Sequence, residues 1–190
     1  MTQRSLLGLV TLLTVLLSGC ATTPQPRFSH PSQLREWQLQ GKLALRVPNK
    51  AQSAYFTWDN NDDSYSIRVN GPLGQGAAYL IKNSSGVTLK LDGEEYKAPS
   101  GEQLMQAHLG WSFPVSNMNW WIKGMASPDT RVAKQQLNPQ GLLEELEQQG
   151  WKVRFLSYQE VAGLQLPYKI VARQQEIQLT LLLKKWRINR

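Results

Sequence analysis

The chain has 190 residues and a formal net charge of +7, with 41% hydrophobic residues, one cysteine and two histidines. A lone cysteine excludes an intramolecular disulfide, a CxxC redox pair and a cysteine metal site, and His30 and His108 are spaced too widely for a His-x-x-x-His metal pair. Lys and Arg are scattered without a long run, which argues against nucleic-acid binding and leaves solubility, an anionic lipid surface or an acidic partner as their uses.

The amino terminus is the first readable element. Arg4 gives a short positive region, Leu6 to Leu17 an apolar run, and Leu17-Ser18-Gly19-Cys20 closes it with two small residues before the cysteine. A bilayer takes roughly 20 helical residues, so the run is too short to span one and reads as a secretion signal that is removed. Its last four residues fit the lipobox of bacterial lipoproteins, in which the cysteine thiol receives lipid. On this reading residues 1–19 are the signal, Cys20 and the Pro-, Ser-, Thr- and Gln-rich stretch to residue 35 form a lipidated flexible tether, and residues 36–190 form one domain.

From Trp37 onward apolar residues recur at every second position: Trp37, Leu39, Gly41, Leu43, Leu45 and Val47 on one side, with Gln38, Gln40, Lys42 and Arg46 on the other. That is a half-buried strand. The alternation returns at Tyr65 to Val69, Val87 to Leu91, Trp151 to Phe155 and Ile177 to Leu183. Shorter runs cover Ala54 to Trp58, Ala77 to Lys82 and Tyr168 to Ala172. Turn residues at Asn60 to Asp63, Ser85-Gly86 and Asp92-Gly93 separate them, so the chain reads as an antiparallel meander.

Two helices interrupt the strands. Ser100 with Gln103 predicts a capping box, followed by Leu104, Met105 and Leu109 on one face and a stop at Gly110. Pro114 starts the second, which carries Trp120, Trp121 and Ile122 and stops at Gly124. Between Leu142 and Gln149, Glu and Leu favour helix while Gly150-Trp151 favours a turn into a strand, and both assignments stay open.

Hydrolytic chemistry finds little support. There is no G-x-S-x-G elbow, no calcium-type Asp-x-Asp-x-Asp-Gly run, and no histidine placed to act as base to a nucleophile. Glu94-Glu95 and Glu144-Glu145 are adjacent carboxylates on polar segments and read as solvated surface. The chain is therefore expected not to be an enzyme, and to use neither metal nor cofactor.

Seven tryptophans, at 37, 58, 111, 120, 121, 151 and 186, suit either a core or the walls of an apolar cavity. Met105, Met118 and Met125 would adapt such a cavity to varied ligands. Between two strands, Gly71-Pro72-Leu73-Gly74-Gln75-Gly76 forms a tight loop with Leu73 alone at its tip. Such a leucine serves either as a wedge into lipid or as a cap folded over the barrel end.

Taken in order, the lipobox, Trp37-Gln-Leu-Gln-Gly41-Lys-Leu-Ala44, Tyr55-Phe56-Thr57-Trp58 and Tyr65-Ser-Ile-Arg-Val-Asn-Gly-Pro-Leu73-Gly74 resemble the LolB family of outer-membrane lipoprotein receptors. So do Trp121-Ile122-Lys123-Gly124, Gly150-Trp151-Lys152-Val153, Leu166-Pro167 and the closing Leu181-Leu-Leu-Lys-Lys-Trp186. The resemblance implies a mainly β fold, an unclosed antiparallel barrel of about eleven strands with helices covering a concave apolar cavity. It makes Leu142 to Gln149 strand. It also implies N-acyl and S-diacylglycerol groups on Cys20, and Ala21 after the cysteine implies sorting to the outer membrane.

The same resemblance implies a monomer that takes acylated lipoprotein cargo from the periplasmic carrier LolA and delivers it into outer-membrane phospholipid. Leu73, with Pro72 and Gly74, then holds the family's membrane-insertion position. Alternation and aromatic content put Leu43, Leu45, Phe56, Trp58, Ile67, Trp121, Met125 and Trp151 among the candidate cavity residues. A carrier of another lipid or hydrophobic ligand would share cavity and anchor, whereas an envelope assembly scaffold would have a filled interior.

Overall fold

The computed structural model describes residues 28–71 and 76–188. The signal, Cys20, and the loop residues Pro72, Leu73 and Gly74 lie outside the described residues.

Eleven strands form one antiparallel sheet: β1 (Glu36–Val47), β2 (Lys50–Asn61), β3 (Ser64–Asn70), β4 (Ala77–Asn83), β5 (Gly86–Leu91), β6 (Glu94–Ala98), β7 (Val132–Leu137), β8 (Leu143–Gln148), β9 (Trp151–Val161), β10 (Leu164–Gln174) and β11 (Ile177–Ile188). The order across the sheet is β6-β5-β4-β3-β2-β1-β11-β10-β9-β8-β7, so the first and last strands pair at its centre. The edges β6 and β7 do not pair with each other, and the barrel is open there. Tight hairpins drive the meander. At Asp92-Gly93, Gln149-Gly150 and Ala162-Gly163 both turn residues have positive φ, the two-residue geometry whose twist matches that of the flanking strands.

The helices α1 (Gly101–Leu109) and α2 (Val115–Trp121) come between the two halves of the meander, and α1 packs on β5 and β6. The Ser100 hydroxyl accepts from Gln103 N–H at 3.2 Å, the forward half of the expected capping box, and Gly110 ends the helix in the left-handed conformation. Pro114 sits at the N-cap of α2, and the chain turns at Gly124 after the helix ends at Trp121.

Three assignments differ from the sequence reading. Asn60, expected in a turn, lies inside β2 and is buried, its amide donating to the Arg35 carbonyl at 2.6 Å. Residues 31–35, expected in the tether, belong to the folded domain: Pro31–Gln33 form a 3-10 turn capped by His30, and Leu34 is 2% exposed in the core. The strands β6 and β7 fall in segments where the sequence shows no alternation.

The inward row of β1 is Trp37, Leu39, Gly41, Leu43, Leu45 and Val47, and register sets it beside an inward row of β2, with Leu39 opposite Trp58, Leu43 opposite Ala54 and Leu45 opposite Gln52. At the end of the barrel where β1 begins, Trp37 packs on Trp58 and Trp186 with ring centroids 5.5 and 5.2 Å away. This aromatic plug closes that end. The other end, where β1 turns into β2 and β3 leads toward β4, holds the opening described next.

Candidate functional site: an apolar cavity on the concave face

A cavity of about 620 Å³ lies between the sheet and the helical layer. The sheet contributes Leu43, Leu45, Ala54, Ile67, Val69, Ala78 and Leu80, and the helical layer Met105, Leu109, Trp111 and Phe113. Its volume falls within the range of small-molecule sites, roughly 300–1,000 Å³. Gln52, Ser53, Gly71 and Gly76 line its open end, so the cavity mouth adjoins the β3–β4 connection that contains Leu73.

Further in, a chamber of about 30 Å³ is bounded by Phe56, Trp58, Met118, Ile122 and Leu181. It shares Leu43, Ile67, Val69, Phe113 and Leu179 with the larger cavity. A void of this size has room for about one water, but its apolar walls offer none of the two to four polar partners a buried water needs. The inner chamber is a continuation of the hydrocarbon space.

The expected lining residues divide into two groups. Leu43, Leu45 and Ile67 line the main cavity, and Leu43, Phe56, Trp58 and Ile67 line the inner chamber. Trp121 and Trp151 lie in the packed core, and half-buried Met125 follows the turn at Gly124, outside both spaces. The sequence offers Trp111 only as one of seven tryptophans suited to core or cavity, and gives Phe113 no such role, yet both line the main cavity. They stack with centroids 5.8 Å apart in the connector between the helices, and two aromatics within Gly110-Trp-Ser-Phe-Pro114 are the signal that marks them.

A buried polar joint holds the helical layer in place. Gln148 of β8, 0% exposed, accepts from Trp121 Nε1 and Ser127 N–H, each at 3.0 Å, and donates to the carbonyls of Ser127 and Thr130, each at 2.7 Å. All four bonding positions of its amide are used, so a polar residue sits in the core without an unpaired group. The joint fixes α2, and with it Met118 and Ile122, against the β8 side of the sheet.

The charged groups do other work. Glu95 pairs with Lys90 at 3.1 Å and Lys97 at 3.5 Å, and the hydrogen bond and charge of Lys90 hold its carboxyl below the usual range, opposite to what a general acid requires. Glu145 lies 3.5 Å from both Lys134 and Arg154. His108 stacks on Tyr96 at 3.7 Å. Among the described residues no cluster of three His, Cys, Asp or Glu could hold a metal. Nor is any described helix long and apolar enough to cross a membrane.

Comparison with known proteins gives a consistent picture. The family model described as outer membrane lipoprotein LolB matches residues 35–186. The outer-membrane lipoprotein LolB of Cellvibrio japonicus is 37% identical, with 97% of this chain and 98% of the relative covered. That of Stutzerimonas stutzeri is 35% identical, with 92% and 91% covered. Among solved structures, a LolA superfamily protein from Nitrosomonas europaea superposes with a TM-score of 0.50 at 7% identity, covering 87% of this chain and 89% of the other. A DUF1329 family protein from Desulfovibrio piger gives 0.53 at 7% identity, covering 84% and 89%. At such identities the two structures speak to the fold alone.

Proposed function

The chain belongs to the LolB family of outer-membrane lipoproteins, and from that premise we propose that it is the receptor that accepts acylated lipoproteins from the periplasmic carrier LolA and inserts them into the outer membrane. The observation that carries this reading is the 620 Å³ apolar cavity with its mouth beside the β3–β4 connection. An acyl chain in water costs about 0.8 kcal/mol for each exposed methylene, so cargo cannot cross an aqueous compartment unless one apolar site hands it to another. The cavity is such a site.

Transfer of this kind breaks no covalent bond and uses no nucleotide. Direction follows if the receptor binds the chains more tightly than the carrier and the membrane more tightly still. About 1.4 kcal/mol at each step gives a tenfold bias. In this reading lipid on Cys20 anchors the domain at the outer membrane, and Leu73, with Pro72 and Gly74, enters the bilayer as cargo leaves. Gly71 and Gly76, which flank that loop, line the cavity mouth, so chains leaving the cavity pass directly beside it.

Filling the cavity tests the reading. Ala54→Trp puts a large ring into the main cavity from β2, and we expect cargo uptake from loaded LolA to fall at least tenfold while the unfolding midpoint changes little. Uptake at the wild-type level would contradict the proposal.

A further inference from the structure

A second space, about 270 Å³, opens beside the main cavity at the mouth, between the β1–β2 turn and the end of α1. Leu45, Gln52, Leu109 and Trp111 line both spaces, and Trp111 is the largest of the four side chains at their boundary. The smaller space differs in chemistry. Pairing of Val47 with Lys50 and of Leu45 with Gln52 puts both polar residues on the inward row of β2, the row that deeper in carries Ala54, Phe56 and Trp58. Opposite them α1 ends at Gly110, where the last helical carbonyls lack intrahelical partners and carry partial negative charge. Among the described residues no carboxylate lies within ion-pair distance of Lys50.

We propose that this side chamber is the subsite for the polar head of the acyl cargo. Lys50 and Gln52 donate hydrogen bonds to the ester and amide carbonyl oxygens where the chains join the cargo, and the carbonyls at the end of α1 accept from its amide N–H groups. The proposal rests on the acyl-receptor reading and adds the element that reading lacks. Hydrocarbon alone does not distinguish an acyl ester or amide from any other apolar ligand, whereas a carbonyl drawn from water beside the chains must find a donor or lose free energy. The main cavity takes the chains, Trp111 stands at the boundary of the two spaces, and the side chamber reads the linkage.

The test uses mature protein with Cys20 replaced by Ala, loaded with the fluorescent hydrocarbon probe N-phenylnaphthylamine, which has no carbonyl. A triacylated lipopeptide and palmitate are then titrated as competitors. In the variant Lys50→Ala, which touches only the side chamber, we expect unchanged probe affinity and about tenfold weaker competition by the lipopeptide, the loss of one charged polar contact. Lys50→Arg, which keeps a donor, should restore most of it. Undiminished lipopeptide competition, or a loss confined to palmitate, would overturn the subsite. Failure of wild type to bind the probe would instead sink the cavity reading on which the subsite depends.

Discussion

Trp121 and Gln148 meet in the middle of the core, the indole Nε1 donating to the amide Oε1 at 3.0 Å with both side chains 0% exposed. The contact ties the second helix to β8 across the open side of the barrel. It makes the helical layer part of the cavity wall.

Gln148→Leu keeps the side-chain volume roughly and removes four hydrogen bonds at once, leaving the Trp121 and Ser127 N–H groups and two carbonyls without their partner. Each buried group so orphaned costs about 1–3 kcal/mol, and some recover by local rearrangement, so we expect a loss of about 3 kcal/mol or more. Urea unfolding followed by tryptophan fluorescence reads this directly. A midpoint equal to wild type would mean that the joint carries no stability.

Gly41 lies at a β-bulge in β1, where the chain approaches its neighbours more closely than any side chain allows. A Cβ there would overlap the Leu182 backbone oxygen and come within 2.7 Å of the Phe56 ring. Turning the Phe56 ring relieves only one of these two contacts, so β1 and β11 must also part at the bulge while Phe56 turns away from the inner chamber that it lines. Gly41→Ala should cost about 1–3 kcal/mol by overpacking and change the depth available to acyl chains. A variant as stable as wild type, with the same preference among chain lengths, would show that the approach is not tight in solution.

Lys123 ends the α2 turn with 4% exposure, its ammonium 4.4 Å from the Trp120 ring centroid. Burial lowers its pKa from 10.5 to about 8. The unfolded chain therefore holds this proton to higher pH than the folded one. The penalty of the buried charge is fully present below pH 8 and is relieved as the pH rises toward 10.5. Lys123→Met should stabilise the protein by about 1–2 kcal/mol at pH 7, after loss of the cation–π contact is set against the gain, and the advantage should shrink above pH 8. A gap between variant and wild type that stays constant from pH 7 to 10.5 would contradict this.

What could be read from sequence follows the physics of each element. The central strands β1 and β11 alternate because one face meets the core and the other meets water. In β8 that signal fails: its buried positions are Leu143, Leu146 and Gln148, so the two leucines fall at helical spacing and the third inward residue is polar. Strand β7 has all six residues exposed, leaving no pattern to detect. The cavity residues on strands share the inward row with ordinary core, and only the position of the helical layer separates Leu43 and Ile67, which line open space, from Trp151, which is packed. Trp111 and Phe113 reach the cavity through the helix connector, whose path depends on contacts distant in sequence, such as Trp121 with Gln148.

The measurement closest to the central claim follows cargo through both of its transfers. Mature protein with Cys20 replaced by Ala is mixed with LolA carrying a triacylated lipoprotein, then with liposomes, in wild-type and Leu73→Glu forms. We predict that wild type takes the cargo and passes it to the liposomes, while Leu73→Glu takes it and retains it, because a charge at the loop tip resists entry into hydrocarbon. Cargo that stays on LolA in the presence of the wild type would contradict the receptor reading, and normal delivery by Leu73→Glu would contradict the role of the loop.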